Sequence, residues 1–305
     1  ETVKNENDVF ASINAAFFNQ GLMLEVPDKA VCETPFQILY VSTGSDGKPV
    51  TSYPRVLVKL GILAEAKIII KFVGDKGNYF VNSALDFIIG EDAGVTCSQI
   101  QADDGGAWNF NKTRISLFRN GRFVATNASS GCKLARNHLE VCLKEEGAEM
   151  RVNGVSVLIG NEQAHNFIRV YHQAPHCTSA QHFKNVINDK GRSSFDGAVI
   201  VEQGAQMTYS DQLINNLMLS DDAHADSKPV LRIFADDVKC THGATVGQID
   251  EDQLFYLKTR GLSQEAAKAL LTTSFAKAII QTIAFPEVIE DLDKTLLNKL
   301  KTIHA

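Results

Sequence analysis

The sequence predicts a mainly β chain closed by a short α-helical region, on three observations. Between about Phe10 and Ile249 the apolar runs are short, rich in Val, Ile, Phe and Thr, and separated by Gly, Asn and Asp, a composition that suits strands joined by turns. Between Ile38 and Ile249 few windows have the 3.6-residue apolar spacing of an amphipathic helix. At Asp250 the texture changes, and helix-start and helix-stop signals follow one another to the end. The 305 residues, 44% hydrophobic and 22% charged, suffice for one large domain or two ordinary ones with a core that needs no disulfides. They divide into a β body over 1–249 and a helical subdomain over 250–305.

Within the β body, strands are expected at Lys67–Val73, Leu85–Ile89, Thr113–Phe118, Val155–Ile159, Asn166–His172, Ala198–Val201 and Val230–Ala235. Asn120-Gly121 and Asn153-Gly154 read as tight turns. Ile62–Ala66 reads as a helical turn, and Ser179–Val186 is ambiguous. Seven prolines in the whole chain are consistent with long sheets, whose interior strands cannot spare N–H donors. These patterns leave two architectures open, a sandwich or barrel and a solenoid of stacked strands. No fixed short repeat is visible, which argues against a hexapeptide-type solenoid.

The helical region reads more directly. Asp250 followed by Gln253 is a capping-box pattern, Leu254, Phe255 and Leu257 form an apolar stripe, and Gly261 stands where a C′ glycine ends a helix. Ser263 caps a second helix, with Glu265 in its first turn and Ala266, Leu270, Leu271, Phe275 and Ile279 on one side. Pro286 suits the first turn of a third, lined by Ile289, Leu292, Leu296, Leu297 and Leu300. Ala276–Ala284 is apolar over much of its circumference, which implies burial or a partner surface.

A net charge of −6 and no clustering of basic with aromatic residues argue against nucleic-acid binding. No apolar stretch approaches the ~20 residues needed to cross a bilayer. The first ten residues lack the apolar segment of a secretory signal, and the six cysteines include no Cys-x-x-Cys pair. They read as reduced thiols of a cytoplasmic protein. Phosphate-binding Gly-rich loops, zinc-protease motifs and the Gly-x-Ser-x-Gly elbow are all absent from the sequence.

One constellation carries possible metal chemistry. Within Ala235-Asp-Asp-Val-Lys-Cys240-Thr-His242-Gly, Cys240 and His242 share a face if the segment is a strand. A thiolate with an imidazole suits iron or zinc. Two ligands make no closed site, so others must come from elsewhere; on spacing alone, a small buried thiol beside a hydrogen-bonded histidine explains the pair better. His165, His172, His176, Cys177 and His182 form a second cluster, of no standard spacing, in which His172 and His176 share strand parity. Asp236-Asp237 reads as a turn or solvated edge, Cys132 as a loop cysteine, and Trp108 as a packing anchor. Asp189, Arg192 and Asp196 are the set that a carbohydrate-acting β-helix enzyme would need.

The segment from Val238 through Cys240-Thr-His242 to Gln253-Leu-Phe-Tyr-Leu-Lys-Thr-Arg260-Gly261-Leu resembles the SufB/SufD family of iron–sulfur cluster assembly scaffolds, on its SufD side. Ala174-Pro-His-Cys-Thr-Ser-Ala-Gln, Asp189-Lys-Gly-Arg-Ser-Ser-Phe-Asp-Gly and Asn14-Ala-Ala-Phe-Phe fit the same family. SufB would carry Glu-His-Glu in place of Cys240-Thr-His242 and a cysteine in place of Leu257. The resemblance implies a right-handed parallel β-helix core with a C-terminal α-helical subdomain. It implies a non-enzymatic scaffold that pairs with SufB near the signature and docks the SufC ATPase through the helices, around Phe255, Tyr256, Arg260 and Gly261. His242, and less so Cys240, would handle a transient iron or nascent iron–sulfur cluster, with none tightly bound to the isolated chain. A homodimer through the SufB surface and, as alternatives, a carbohydrate-acting enzyme or a stand-alone metal-binding protein using His172 and His176 complete the expectations. The family's N-terminal helical region is expected to lie outside this sequence, which opens on Glu1.

Overall fold

Strands without hairpin turns between them must find their partners in the next coil of chain, and every ladder in this protein does so. The computed structural model describes residues 6, 8–43, 48–74, 77–103 and 105–303, without the side chains of 297, 301 and 302. Strands alternate between two sheets. β1 (Gly21–Val26) lies in the first sheet and β2 (Val31–Ser42) in the second. β3 (Val50–Ser52) and β4 (Arg55–Leu60) return to the first, and β5 (Glu65–Gly74) to the second. The alternation continues through β6 (Tyr79–Ile89), β7 (Gly94–Ala102), β8 (Trp108–Leu117), β9 (Arg122–Ser129), β10 (Leu134–Leu143) and β11 (Glu149–Leu158). It ends with β12 (Gln163–His172), β13 (Thr178–Ile187), β14 (Arg192–Val201), β15 (Thr208–Met218), β16 (His224–Ile233) and β17 (Val238–Gly247). Among the described residues the pairings are all parallel, with in-register partners 26 to 34 residues apart. The solenoid is therefore a two-sheeted parallel β-helix, and the hand expected of a parallel crossover is right. A coil near 30 residues long is the repeat that a search for short periods misses.

The corners stack as regularly as the strands. Leu63, Asp92, Asn120, Gly147, His176 and Met207 adopt positive φ, between 52° and 73°, just ahead of successive strands of the second sheet. Their N–H groups reach forward to the next coil: Leu63 donates to the Glu91 carbonyl at 2.9 Å, Asp92 to Arg119 at 2.8 Å, Asn120 to Glu146 at 2.9 Å and His176 to Gln206 at 3.0 Å. Asn120-Gly121 is thus a turn, as its composition predicts, but a corner between sheets. Ile62–Ala66 is the same kind of corner and not a helical turn. Ser179–Val186 is strand β13.

Asn153-Gly154 is no turn. Both residues lie inside β11, where a Cβ on Gly154 would run into the ring of buried Phe183 on the adjacent strand. Gly197, inside β14, makes room in the same way for Phe195 and the Gln212 amide. The interior is mostly apolar, with Phe72, Phe87, Phe195, Leu60, Ile68 and Ile70 among its largest buried side chains, but it also holds buried polar residues such as Ser179, Gln181, Asn185, Ser210, Gln212 and Asn216.

The outer face of the first sheet is charged. In-register Asp86, Arg114, Glu140 and Arg169 alternate in sign along one column. Arg114 bridges Asp86 at 2.6 Å, and almost fully buried Lys112 reaches Glu140 at 2.7 Å. A one-residue slip would turn these charges into the core, so the column helps to hold the register.

The N-terminal edge of the expected β body holds a helix, α1 (Val9–Phe17), where the texture of short apolar runs from Phe10 onward pointed to strand. Asp8 caps it, accepting from the Phe10 and Ala11 N–H groups at 3.0 Å. Burial opposes ionisation of Asp8, but hydrogen bonds from His138, Arg136 and Ala11 outweigh it and hold the carboxyl far below the usual carboxylate range. Asn14, fully buried, donates to the Asn82 carbonyl at 2.7 Å and the Pro54 carbonyl at 3.1 Å.

The last three helices are α2 (Glu251–Thr259), α3 (Gln264–Ile280) and α4 (Pro286–Ile303). The caps are those the sequence predicts: Asp250 accepts from Asp252 and Gln253, Ser263 from Ala266, and Gly261 has φ 93°. The helices lie along the second sheet, where Ile279, Ile280, Ile283, Leu292 and Leu296 pack on Ile100, Val155, Val157 and Val186. The buried side of α3 is Ala267, Thr272, Ala276, Ile279 and Ile280; of the predicted side, Ile279 is buried and Phe275 packs against the same cluster, while Ala266 and Leu270 are exposed. The side chain of Leu297 lies outside the described residues.

Replacing Gly154 by Leu should lower stability by about 1–3 kcal/mol through overpacking against Phe183. A thermal melt should show part of that loss recovered when Phe183→Ala accompanies it, because the two sites share one space. An unchanged midpoint for the single variant would refute the close approach.

Candidate functional site

A parallel solenoid satisfies every interior strand on both sides and leaves its last strands half-paired. β17 is the terminal strand of the second sheet and β16 of the first. β17 runs for ten residues without Pro, Asp or Glu, and Lys239 near its start is its one charged side chain of the kind that blunts an exposed edge. It pairs with β15 in unbroken register, Cys240 opposite Ser210, Thr241 opposite Asp211 and His242 opposite Gln212. Ser210 and Gln212 are fully buried, so Cys240 and His242 occupy the inward columns of a coil with nothing stacked above it. They share a face, as their spacing predicts.

Cys240 is half-buried and packs on the apolar interior. Burial pushes its thiol up, opposed by the Ser210 N–H. His242 is exposed. Around them the open end is apolar: Ile233, Phe234 and Val246 are exposed large hydrophobic residues. Beneath Cys240, a buried chain links His172 Nε2 to Ser179 Oγ at 2.8 Å and Ser179 Oγ to Ser210 Oγ at 2.9 Å. Beneath His242, Gln212 Nε2 donates to Gln181 Oε1 at 3.2 Å. Among the described residues, no group of three or more His, Cys, Asp or Glu side chains could hold a metal. The open end therefore presents one sulfur and one imidazole, and a tetrahedral ion would need two more ligands.

The second histidine cluster does not assemble. His172 is a fully buried core residue, its ring kept neutral near neutral pH because burial lowers its pKa to about 4. His176 is the positive-φ residue of a corner, 3.8 Å from Glu146. His165 bonds Ser194 on the outer face of the first sheet, and His182 bonds Asn215 on the outer face of the second. The fold scatters them because consecutive strands belong to opposite sheets. The acidic set for sugar cleavage is likewise dispersed: Asp189 sits in a corner accepting from the Gly160 N–H, and Asp196 is held by Arg169 at 2.9 Å.

On α2 only Leu254 is buried, while Phe255 and Tyr256 are 68% and 56% exposed. Arg260 lies 5.1 Å from the centre of the Tyr256 ring. Two large aromatics are bared on a helix that is itself weakly packed, an arrangement that suits a contact surface. A cavity of 360 Å³ separates α2 and α3 from the end of β17, bordered by Thr245, Gly247, Gln253 and Phe275.

The sequence matches the family described as SUF system FeS cluster assembly, SufBD core domain, over residues 40–275. The chain belongs to the SufB/SufD family. A SufBD family protein of Synechocystis is 32% identical over 91% of this chain and 63% of its own length. SufD of Escherichia coli is 29% identical over 82% of this chain and 59% of its own, and SufD of Bacillus subtilis 27% over 98% and 68%. The chain thus spans about three-fifths of the length of the curated relatives it matches. It is a SufD-type member, and iron–sulfur cluster assembly by the SUF system is the activity of its family. Among the described residues no helix is long and apolar enough to cross a membrane.

Sequence reasoning missed Ser210 and Gln212, which carry no motif; only their register with Cys240 and His242 singles them out. Cys132 lies in the connection between β9 and β10, as read from the sequence, but it is fully buried, with burial and nearby Asp103 pushing its thiol up to about 12. Cys97 is pushed up to about 12 by burial alone. A raised thiol pKa means less thiolate at neutral pH. Iodoacetamide mapping by mass spectrometry should therefore leave Cys97 and Cys132 unlabelled in the native protein. Cys240 should react slowly, faster as pH rises. Rapid labelling of Cys132 at neutral pH would contradict its placement.

Proposed function

We propose that this chain is a non-enzymatic SufD-type scaffold that helps to assemble a nascent iron–sulfur cluster where its open end meets SufB. The observation that carries the reading is the pairing of Cys240 and His242 on an edge strand with one side open, two ligands short of a site. A partner that adds a strand to β17 would satisfy the free backbone groups and cover Ile233, Phe234 and Val246. It would also bring the missing ligands to His242 and Cys240. The iron or cluster is transient cargo, and the isolated chain holds none tightly. The same edge allows a homodimer when SufB is absent.

Energy comes from outside. The chain has no phosphate-binding loop of its own, and the exposed Phe255, Tyr256, Arg260 and Gly261 region of α2 is the proposed dock for the SufC ATPase. Closure of two SufC subunits would pull on α2, and the cavity between α2, α3 and β17 gives that helix room to move. Strain passed through Gln248 and Ile249 into β17 would open the SufB contact and expose His242. The setting is the cytoplasm.

His242→Ala should keep the thermal midpoint and the retention of SufB and SufC in a pull-down, yet abolish cluster maturation in cells; normal maturation by that variant would sink the assignment. Deleting residues 250–305 is a poor test of docking, since it would bare Ile100, Val155, Val157 and Val186. The exposed pair serves better. Phe255→Asp with Tyr256→Asp should leave the fold intact and weaken SufC binding by about 2 kcal/mol or more, roughly thirty-fold. Undiminished SufC binding, measured by calorimetry, would move the dock elsewhere.

A further inference from the structure

Two inward columns lead from the core to the open end, and they differ in one respect. Under Cys240, Ser210 and Ser179 are bonded to each other and to His172, and the one unmet atom of that chain, His172 Nδ1, lies at the end away from Cys240. The column under His242 is left short. Gln212 Oε1 is buried and has no hydrogen-bond partner, although Gln212 as a whole is fully buried. Its amide nitrogen is spent on Gln181 Oε1. Gly197 on the facing sheet leaves the space that the amide fills, because any Cβ there would meet Gln212 Nε2. Nothing deeper fixes the direction of the Gln181–Gln212 pair, since Gln181 Nε2 also lacks a partner. The group that can fix it is the next one in register, His242.

An unmet buried carbonyl is costly, and an exposed imidazole that can turn is a ready donor to it. A histidine that binds metal through one ring nitrogen usually donates the other N–H to a carbonyl or carboxylate, which fixes both tautomer and ring direction. We propose that Gln212 is the positioning residue for His242: its side-chain carbonyl accepts the imidazole N–H, selects one tautomer and turns the other ring nitrogen outward to the metal at the open end. The metal part of this role rests on the iron-handling reading of His242; the tautomer does not.

Nitrogen-15 chemical shifts of selectively labelled histidine rings report which nitrogen carries the proton, and His242→Gln assigns the signal in the full-length chain. In the wild-type protein His242 should hold a single tautomer. Gln212→Leu should give a mixture of both at an unchanged thermal midpoint, with the other histidine signals unmoved, and Gln212→Glu, which keeps an acceptor, should restore the single form. Cobalt(II), used as the probe ion, should shift the His242 signals and bind roughly 10- to 100-fold more weakly to Gln212→Leu. A wild-type mixture of tautomers, or populations that Gln212→Leu leaves unchanged, overturns the proposal. A single tautomer released by Gln212→Leu upholds it even if cobalt leaves His242 unmoved, and in that case the iron-handling reading falls instead. If Gln212→Leu fails to fold, Gln212→Met takes its place as the variant without an amide.

Discussion

The structure depends on the parallel backbone ladder between coils. Each coil satisfies its N–H and C=O groups only through the coil before and the coil after, so no coil is stable alone. Two consequences follow together. The interior tolerates polar residues in columns, because Ser179 over Ser210 and Asn185 over Asn216 bond each other at the strand spacing. The ends cannot be satisfied at all from within. Cys240 and His242 lie at the second of these places, where they continue interior columns into open space.

The same ladder explains what the sequence could and could not disclose. Strand segments were legible because β-branched runs alternate in and out on every coil. The helix caps at Asp250, Ser263 and Gly261 were legible because each is a local bargain between one side chain and its own first or last turn. The coil repeat was not legible. Its corners are held by hydrogen bonds from one coil's N–H to the next coil's carbonyl, and residues as different as Leu63, Asp92, Asn120, Gly147 and His176 all take positive φ there. A constraint met by the backbone leaves no common letter behind. Gly154 shows the reverse error: beside an asparagine it imitates a turn, while its true partner is the Phe183 ring on the adjacent strand.

The site was legible in its parity and not in its depth. Cys240 and His242 are two residues apart, so a strand assignment alone puts them on one face. That face turns toward the core because of β15, whose Ser210 and Gln212 lie some thirty residues earlier in an unremarkable stretch. The scattered histidines failed for the complementary reason. His165, His172, His176 and His182 are close in sequence, but a two-sheeted coil sends neighbours to an outer face, the core, a corner and the opposite outer face.

The two ends of the solenoid are not equivalent, and the difference bears on assembly. At the first end, β2 breaks its register between Cys32 and Phe36, with Pro35 inside the irregularity. A bulged strand with a proline is a poor template for strand addition. At the last end, β17 is regular along its whole length and pairs β15 residue for residue. Cys240 and His242 sit on the regular strand. Under the proposed reading, a strand added to β17 would cover the edge and complete the ligand set in a single event.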